Sequence, residues 1–340
     1  MIDKIQQIIK LKKSNNKILV TGCAGFIGFH FSRSLRNKKN YQVIGIDNLN
    51  NYYDRNLKLD RLKILKKDFK KFSFIKSDIS EYSKIEKIFK KYKFSHVVHL
   101  AAQAGVRYSL KKPEEYTKSN LVGFFNILEC CRKYKIKHLI YASSSSIYGG
   151  NKKLPFSEKD LTNKPIQFYA ATKLSNELMA YSYSSLHKLK TTGLRFFTVY
   201  GPWGRPDMAF FSFTKKILEN KFLEVYNYGN HLRDFTYIDD VVEGVKKILF
   251  VRKNIGNFQL FNLGFGKPIK LLEFIKILEK TIGKKAKLKY VAKQKGDMKK
   301  TFSSINKMKK IYNYYPKIKP SIGLKQFVNW YLKYYKIIKY

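Results

Sequence analysis

Cysteine and long apolar runs are both scarce in this sequence of 340 residues. The three cysteines, Cys23, Cys130 and Cys131, are odd in number and two are adjacent, which argues against a disulfide framework. No apolar run approaches the ~20 residues of a membrane-spanning helix, and the start of the chain lacks the continuous apolar core of a signal peptide. We therefore expect a protein of the reducing cytoplasm, without a membrane span.

Acidic residues are also scarce, since 24 Asp and Glu face 69 Lys and Arg, for a formal charge of +45. A surface this basic raises nucleic acid or anionic membranes as partners. However, only ten of the basic residues are Arg, and the lysines are scattered along the whole chain. Base-edge recognition would use more Arg, so we interpret the charge as compositional and predict no specific nucleic-acid partner. None of the six histidines has metal-ligand spacing to Cys, Asp or Glu, so we predict no metal site.

Six short apolar runs alternate with helix-length segments from Lys17 onward. They cover residues 18–21, 41–46, 72–75, 96–100, 138–142 and 191–197. Buried runs of this length predict parallel strands in a doubly wound α/β sheet with helices on both faces. Further helices are predicted at 271–282 and 321–338. The first 16 residues carry isoleucines at helical spacing among lysines, a pattern that fits either an amphipathic helix on a membrane surface or a dispensable extension, and we prefer the second interpretation.

A glycine-rich segment, Thr21 to Gly28, joins the first predicted strand to the first helix. Gly22, Gly25 and Gly28 would let the backbone turn tightly and place a pyrophosphate at the helix N-terminus. Three glycines alone are often only a turn, but Asp47 ends the second strand about 20 residues later, where its carboxylate can bind the adenosine ribose. No Arg follows immediately to hold a 2′-phosphate. The segment therefore predicts NAD rather than NADP as the cofactor.

Tyr169 and Lys173 form a YxxxK pair on a predicted helix. At i and i+4 they share one face, so the ammonium can lie near the phenol and favour the phenolate. This matters because a free Tyr titrates near ~10, too high for a good base at neutral pH. Such pairs arise by chance in a chain with 25 tyrosines, but this one follows a serine-rich strand end at 143–146. We predict that Tyr169 is a general acid and base.

These motifs together resemble the extended short-chain dehydrogenase/reductases, in the family of NAD-dependent nucleotide-sugar epimerases and dehydratases. The GxxGxxG spacing, Asp78-Ile79 after the third strand and His99 to Gln103 after the fourth carry the resemblance. It implies a Rossmann domain in which Tyr169, Lys173 and the three glycines contact NAD, and Ser144 donates to the substrate's 4-oxygen. It implies further cofactor contacts at Phe26, Ile27, Asp47, Asn48, Asp78, Ile79, Leu100, Ala101, Ala102 and Gln103. His99 itself is interpreted as a hydrogen-bonded histidine at a strand end.

The alternation of apolar runs and helical segments loosens after Phe197, which divides the chain. We expect an N-terminal extension at residues 1–16 and an NAD-binding Rossmann domain at 17–197, with a return segment at 236–264. Residues 198–340 should form mainly a smaller C-terminal α/β domain for the UDP-sugar substrate. The resemblance implies a homodimer built from helices near 113–133 and 169–187.

The run Gly-Pro-Trp-Gly-Arg-Pro-Asp-Met at 201–208 is similar to UDP-glucuronate 4-epimerases of polysaccharide biosynthesis. An Arg in such a turn can grip a carboxylate bidentately, which gives Arg205 its expected role. Ser145 and Ser146 occupy the two positions at which related dehydratases carry an Asp-Glu pair. Related decarboxylases usually carry Glu at the second of these positions. The two serines therefore favour an epimerase over a dehydratase or a decarboxylase. Other implied substrate contacts are Arg107, Asn120, Ser145, Ser146, Thr198, Val225, Tyr226, Arg233, Gln294 and Asp297. Arg195 is interpreted instead as a structurally paired strand residue.

Three alternatives to UDP-glucuronate 4-epimerisation stay open on the sequence. A UDP-glucose or UDP-N-acetylglucosamine 4-epimerase would share the catalytic residues but would not need Arg205. A UDP-glucuronate decarboxylase would form the same 4-keto intermediate. A NAD-sensing protein with a basic binding surface would have no use for Ser144, Tyr169 and Lys173.

Overall fold

A seven-stranded parallel sheet forms the centre of the computed structural model, which describes residues 16–294 and 296–337. Its strands are β1 (Asn16–Thr21), β2 (Tyr41–Asp47), β3 (Phe72–Lys76), β4 (His96–His99), β5 (His138–Ser144), β6 (Thr191–Phe196) and β11 (Phe258–Leu263). They lie in the order β3-β2-β1-β4-β5-β6-β11. The six predicted strands are confirmed, with ends that differ by up to two residues. The predicted N-terminal extension lies outside the described residues, except for Asn16, which begins β1.

Helices cover both faces of this sheet, which explains why its inner strands are buried on both faces. On one side pack α1 (Phe26–Ser34), α2 (Arg55–Asp68) and α8 (Ile238–Phe250), and on the other α3 (Tyr82–Tyr92), α5 (Gly123–Lys133) and α6 (Phe168–His187). Two hydrophobic cores result, one on each face. The predicted doubly wound α/β fold is therefore confirmed.

The chain reverses its winding direction at β1. From β1 it proceeds outward to β2 and β3, then returns to the other side of β1 as β4. In open α/β sheets a ligand crevice forms at this point, beyond the carboxyl ends of the strands. The glycine loop, the residues after β4 and the serines that end β5 all lie at this edge.

The C-terminal part of the chain adds three two-stranded sheets and further helices. The strands are β7 (Thr198–Tyr200), β8 (Phe222–Tyr226), β9 (Leu232–Arg233), β10 (Phe235–Tyr237), β12 (Ile269–Lys270) and β13 (Lys287–Val291). The remaining helices are α4 (Pro113–Tyr116), α7 (Ala209–Leu218), α9 (Leu271–Ile282), α10 (Asn306–Tyr312) and α11 (Pro320–Tyr334). The helix predicted at 271–282 is confirmed. The predicted helix at 321–338 begins one residue earlier and ends at Tyr334, while Ile338 lies outside the described residues.

Two segments of this part return to the central sheet. After β10, α8 packs against α1, and β11 then pairs in parallel with β6. Among the described helices, none combines the length and the apolar character needed to cross a membrane.

Candidate active site

Two adjoining cavities open at the carboxyl ends of the central strands. The first, of about 380 Å³, runs from the glycine loop to Tyr169, and the second, of about 520 Å³, extends over the C-terminal part. Both are lined by Tyr52, Gly105, Val106, Thr198, Arg205 and Met208. The two cavities therefore form one elongated cleft with Arg205 at their junction.

The glycine loop offers a close backbone approach that side chains would block. Gly22 has φ +70°, and a Cβ there would lie 2.7 Å from the Ala101 nitrogen. A Cβ on Gly28 would lie 2.1 Å from the Gly22 oxygen. The absence of these side chains lets the loop pack closely against the turn after β4 and against α1, and the first turn of α1, Phe26 to Gly28, lines the first cavity with its free N–H groups nearby. This arrangement fits a pyrophosphate group.

Asp47 lies at the end of β2, beside the glycine loop. Its Oδ1 accepts from the Leu49 N–H at 2.8 Å and its Oδ2 from the Ala24 N–H at 3.2 Å. Burial raises the pKa of Asp47, while the Lys58 ammonium and these backbone N–H groups oppose the shift. Each carboxylate oxygen keeps a further acceptor position, which fits ribose hydroxyls.

Most of the expected cofactor residues line the first cavity. They are Gly22, Gly25, Phe26, Ile27, Gly28, Asp47, Asn48, Ile79, Leu100, Ala101, Ala102, Gln103, Tyr169 and Lys173. Asp78 does not line it, but it accepts a hydrogen bond from Asn48 Nδ2 at 3.2 Å. His99 is buried and its Nδ1 lies 2.9 Å from Thr21 Oγ1. Thr21 Oγ1 also accepts from the N–H groups of Leu100 and Ala101. His99 therefore stabilises the turn that follows β4 through Thr21.

The catalytic candidates meet where β5 and α6 face the cleft. Lys173 is 2% exposed and donates to the Ala142 carbonyl at 2.9 Å, and burial lowers its pKa to about 7. Burial raises the pKa of Tyr169, whereas a hydrogen bond with Ser144 and the charge of Arg205 lower it. Ser144 Oγ also lies 3.1 Å from Ser146 Oγ. Ser144, Ser145, Ser146, Tyr169 and Lys173 all line the first cavity.

Arg205 is held at one edge only. Its Nε and Nη2 donate to Asp207 at 3.0 and 2.6 Å, and Tyr52 donates to the same carboxylate at 3.0 Å. Nη1 makes no hydrogen bond to residues 16–294 or 296–337. The guanidinium side chain is 20% exposed. Asp207 thus orients Arg205 and leaves its second edge available to an anion.

The second cavity contains several of the expected UDP-sugar contacts. Arg107, Thr198, Tyr226, Arg233 and Asp297 line it. The Arg107 guanidinium lies 4.7 Å from the centre of the Tyr226 ring, an arrangement favourable for a cation–π contact. Arg233 donates to the Lys299 carbonyl at 3.0 Å and lies 3.4 Å from Asp297.

Three expected substrate contacts lie outside these two cavities. Asn120, 1% exposed, uses Nδ2 to donate to the Gln103 carbonyl and to Thr172, both at 3.0 Å, and Oδ1 to accept from the Gln103 N–H. It therefore joins the turn after β4 to α6. Val225 is fully buried in β8. Gln294 keeps a buried Oε1 without a partner among the described residues.

Arg195 is a strand residue with a structural partner, as interpreted from the sequence. It donates to Glu177 at 2.8 and 3.0 Å, and Ser143 donates to the same carboxylate at 2.6 Å. Arg195 also donates to the Tyr148 hydroxyl at 2.9 Å. This buried network fixes the serine-rich strand end against the helix that carries Tyr169.

The sequence reasoning missed a group on and before α2. Tyr52, Tyr53 and Lys58 line the first cavity, and fully buried Arg61 lies behind it. A signal for Arg61 was present, because Leu57, Arg61 and Leu65 recur at i, i+4 and i+8, which places a charged residue on the apolar face of the helix.

Comparisons with known proteins agree with this geometry. The model of the NAD dependent epimerase/dehydratase family matches residues 18–264. The chain is 46% identical to Protein CapI of Staphylococcus aureus, over 94% of this chain and 99% of that protein. It is 42% identical to UDP-glucuronate 4-epimerase 4 of Arabidopsis thaliana, over 98% of this chain and 79% of that protein.

A solved structure is similar along the same length. It is that of the UDP-glucuronic acid 4-epimerase from Bacillus cereus in complex with UDP-glucuronic acid and NAD, 36% identical, with a TM-score of 0.89. The match covers 94% of this chain and 100% of that one. The chain belongs to the NAD-dependent epimerase/dehydratase family.

Proposed function

We propose that this protein is a NAD-dependent UDP-sugar 4-epimerase that converts UDP-glucuronate to UDP-galacturonate. One observation carries the choice of sugar. Arg205 lies at the junction of the two cavities, with one guanidinium edge fixed by Asp207 and the other directed at no group of the described chain. A substrate carboxylate would pair with that free edge. The UDP-glucuronate 4-epimerases among the relatives support the same substrate.

The first cavity fits NAD. The glycine loop would hold the pyrophosphate, Asp47 the adenosine ribose, and Ile79 and the residues from Leu100 to Gln103 would contact the rings. Asp78 would contribute indirectly, because it accepts a hydrogen bond from Asn48 and so orients that cofactor contact. When bound, NAD supplies a hydride acceptor and donor for carbon 4 of the sugar, so that the epimerisation has no net redox change.

Ser144, Tyr169 and Lys173 would handle the proton at the sugar's 4-oxygen. Tyr169 removes that proton when the 4-keto intermediate forms and returns it when the opposite epimer is made. Ser144 holds the 4-oxygen by a hydrogen bond. Lys173, anchored on the Ala142 carbonyl, lies on the same helix face as Tyr169, and its protonated form would stabilise the phenolate.

Arg205 would also protect the intermediate. A 4-keto uronic acid is a β-keto acid, which loses carbon dioxide when the breaking bond overlaps the carbonyl π system. Arg205 and Thr198, which line both cavities, together with Ser145 and Ser146 would hold the carboxylate out of that overlap. Protein groups thereby separate epimerisation from decarboxylation.

The second cavity would take the UDP portion. Arg233 and Arg107 would face the diphosphate, Tyr226 would flank the uracil, and Asp297 would keep Arg233 in place. We assign Asn120 and Val225 to supporting the cleft walls rather than to touching the sugar. Gln294 stays a candidate nucleotide contact because its buried Oε1 lacks a partner among the described residues.

We further propose the two-part organisation and the homodimer. Residues 17–197 with 236–264 would form the NAD-binding domain, and the rest of 198–340 the substrate domain. Adjacent helices α5 and α6 expose large apolar side chains that a second copy would cover. They are Phe125 (45% exposed), Leu178 (63%), Tyr181 (58%) and Leu186 (73%). The three buried free thiols suit a cytoplasmic location, and we propose no specific nucleic-acid partner.

Incubation of the purified protein with UDP-glucuronate, followed by chromatographic separation of the products, tests this function. UDP-galacturonate is the expected product. UDP-pentose as the main product would make the protein a decarboxylase. Turnover of UDP-glucose or UDP-N-acetylglucosamine without turnover of UDP-glucuronate would favour a neutral-sugar epimerase, and NAD binding without any turnover would favour a sensor.

A further inference from the structure

We propose that Arg61, assisted by His30, is a positioning residue that fixes the turn at 201–204 against the glycine loop and thereby sets the selectivity for a uronate substrate. The inference rests on the proposed role of Arg205, the residue that follows this turn. Neither Arg61 nor His30 lines either cavity.

The Arg61 guanidinium bridges the two loops directly. Its Nη1 donates to the Ala24 carbonyl of the glycine loop at 2.8 Å. Its Nη2 donates to the carbonyls of Trp203 and Gly204 at 2.5 and 3.2 Å. Because the guanidinium is a planar fork with fixed donor directions, these bonds set the distance between the cofactor loop and the turn.

His30 holds the preceding carbonyl of the same turn. Its Nε2 lies 2.9 Å from the Pro202 oxygen, and since a carbonyl only accepts, Nε2 carries the proton. Burial lowers the pKa of His30 to about 3, so the ring is neutral at physiological pH. Three successive carbonyls, those of Pro202, Trp203 and Gly204, are therefore bound by side chains from α1 and α2.

The turn has a conformation that requires such support. Trp203 has φ +59°, in the left-handed region that a residue with a bulky side chain rarely adopts. Its ring packs between Phe29 at 5.6 Å and Trp330 and Tyr334 of α11 at 5.2 and 5.0 Å. The ring contacts and the carbonyl bonds together determine where the next side chain, Arg205, emerges.

A structural role in the core alone would not explain an arginine at this position. Arg61 is fully buried on the apolar face of α2, and within the described residues it forms no ion pair. Its Nε has no hydrogen-bond partner there either. Burying a guanidinium is costly, and a leucine or methionine would pack more favourably at such a site. The compensation that the structure offers consists of the carbonyl contacts to the two loops and one hydrogen bond from Nη1 to the Tyr53 hydroxyl at 2.7 Å.

A change at Arg61 should therefore weaken the binding of a uronate more than the binding of a neutral sugar. A small displacement of Arg205 weakens its contact with a carboxylate, but a neutral sugar at the same position has no such contact to lose. Misplacement by about 1 Å can reduce the rate by roughly a hundredfold when the displaced group orients the substrate. Loss of the Ala24 contact should also loosen the glycine loop and weaken NAD binding.

Arg61→Lys is the principal test. Lysine keeps the positive charge but lacks the planar guanidinium whose several N–H donors contact both loops at once. We expect the dissociation constant of UDP-glucuronate, measured by calorimetry on the NAD-loaded protein, to rise about tenfold or more. That of UDP-glucose should change less than about twofold. NAD affinity of the cofactor-free variant should fall as well. Arg33→Lys is the matched control, because Arg33 lies on α1, pairs with Asp68 at the surface and contacts neither loop.

Two further measurements separate positioning from general destabilisation. In an Arg205→Ala background, Arg61→Lys should cause no further loss of UDP-glucuronate affinity, because the group that it positions is absent. His30→Gln, which keeps an N–H donor, should retain more uronate selectivity than His30→Phe. The comparison of the two His30 variants keeps the inference testable if Arg61→Lys fails to fold.

The results that would contradict this inference differ from those that would contradict the proposed role of Arg205. Equal losses for the two nucleotide sugars, or additive losses in the double variant, would overturn the positioning role of Arg61. If Arg205→Ala itself binds UDP-glucuronate as tightly as the parent protein, both this inference and the proposed role of Arg205 are wrong.

Discussion

Replacing Arg205 with alanine removes the one guanidinium edge that faces the junction of the two cavities. Truncating one partner of a desolvated charge pair costs about 2 to 5 kcal/mol. The lower part of that range applies here, because the side chain is 20% exposed and Asp207 already neutralises part of its charge. A cost of about 2 to 3 kcal/mol corresponds to a rise of roughly 30- to 150-fold in KM for UDP-glucuronate.

The products of the Arg205→Ala variant should change as well. With the carboxylate no longer oriented, part of the 4-keto intermediate should lose carbon dioxide. UDP-pentose should then accumulate beside UDP-galacturonate, with reduced nicotinamide left on the protein and visible by its absorbance. Chromatography of the nucleotide sugars and trapping of released carbon dioxide measure both effects.

Two controls isolate the carboxylate contact. Arg107→Ala, in the second cavity, should weaken UDP-glucuronate and UDP-glucose alike without producing pentose. Arg205→Ala combined with Asp207→Asn removes the carboxylate that the single variant leaves unpaired, and should recover only the part of the loss due to repulsion. If Arg205→Ala turns over UDP-glucuronate normally and forms no pentose, Arg205 does not bind the carboxylate, and a neutral-sugar epimerase becomes the better interpretation.

Three other outcomes follow from the same geometry. Tyr169→Phe should retain NAD binding but lose at least ~100-fold in turnover, the lower end for a general base, and near-normal turnover would contradict the mechanism. Asp47→Ala should weaken NAD about tenfold or more by calorimetry, since it removes a charged hydrogen-bond acceptor, and an unchanged affinity would exclude Asp47 from the site. Between pH 7 and about 8.5, below the titration of unfolded thiols, the stability of the cofactor-free protein should rise with pH, because buried Lys173 loses its proton there in the folded chain but keeps it in the unfolded chain. Denaturant titrations should show that Lys173→Met flattens this slope, and an unaltered slope would contradict the pKa of Lys173.

Local sequence was sufficient for six of the seven strands of the central sheet and for the ends of those strands where ligands bind, whereas β11 was expected only within the return segment at 236–264. The apolar runs are buried on both faces, so their period and length are visible without tertiary information. The glycine loop and the YxxxK pair are equally local, because each occupies one turn between two regular elements. The predicted positions of Gly22, Tyr169 and Lys173 in the cleft required only the order of elements.

Contacts between distant segments could not be predicted in the same way. Asn120 was expected to face the sugar, but its amide is used to join the turn after β4 to α6, and only the three-dimensional arrangement shows this. Arg61 was overlooked because its partners, Ala24 and the turn at 201–204, lie far away in the sequence. A charged residue at core spacing on a helix was the available signal. Its meaning depends on which backbone carbonyls the fold brings to it.

The pair Tyr169 and Lys173 shows why helical spacing alone does not make a catalytic base. In the protein chain by itself, burial raises the pKa of the phenol and lowers that of the ammonium to about 7, so both shifts oppose a phenolate–ammonium pair. Ser144 and Arg205 offset only part of the shift at Tyr169. A further positive charge near the phenol is needed, and an oxidised nicotinamide ring in the first cavity would provide one. Base activation would then be coupled to cofactor binding, which limits proton removal to the state in which carbon 4 can be oxidised.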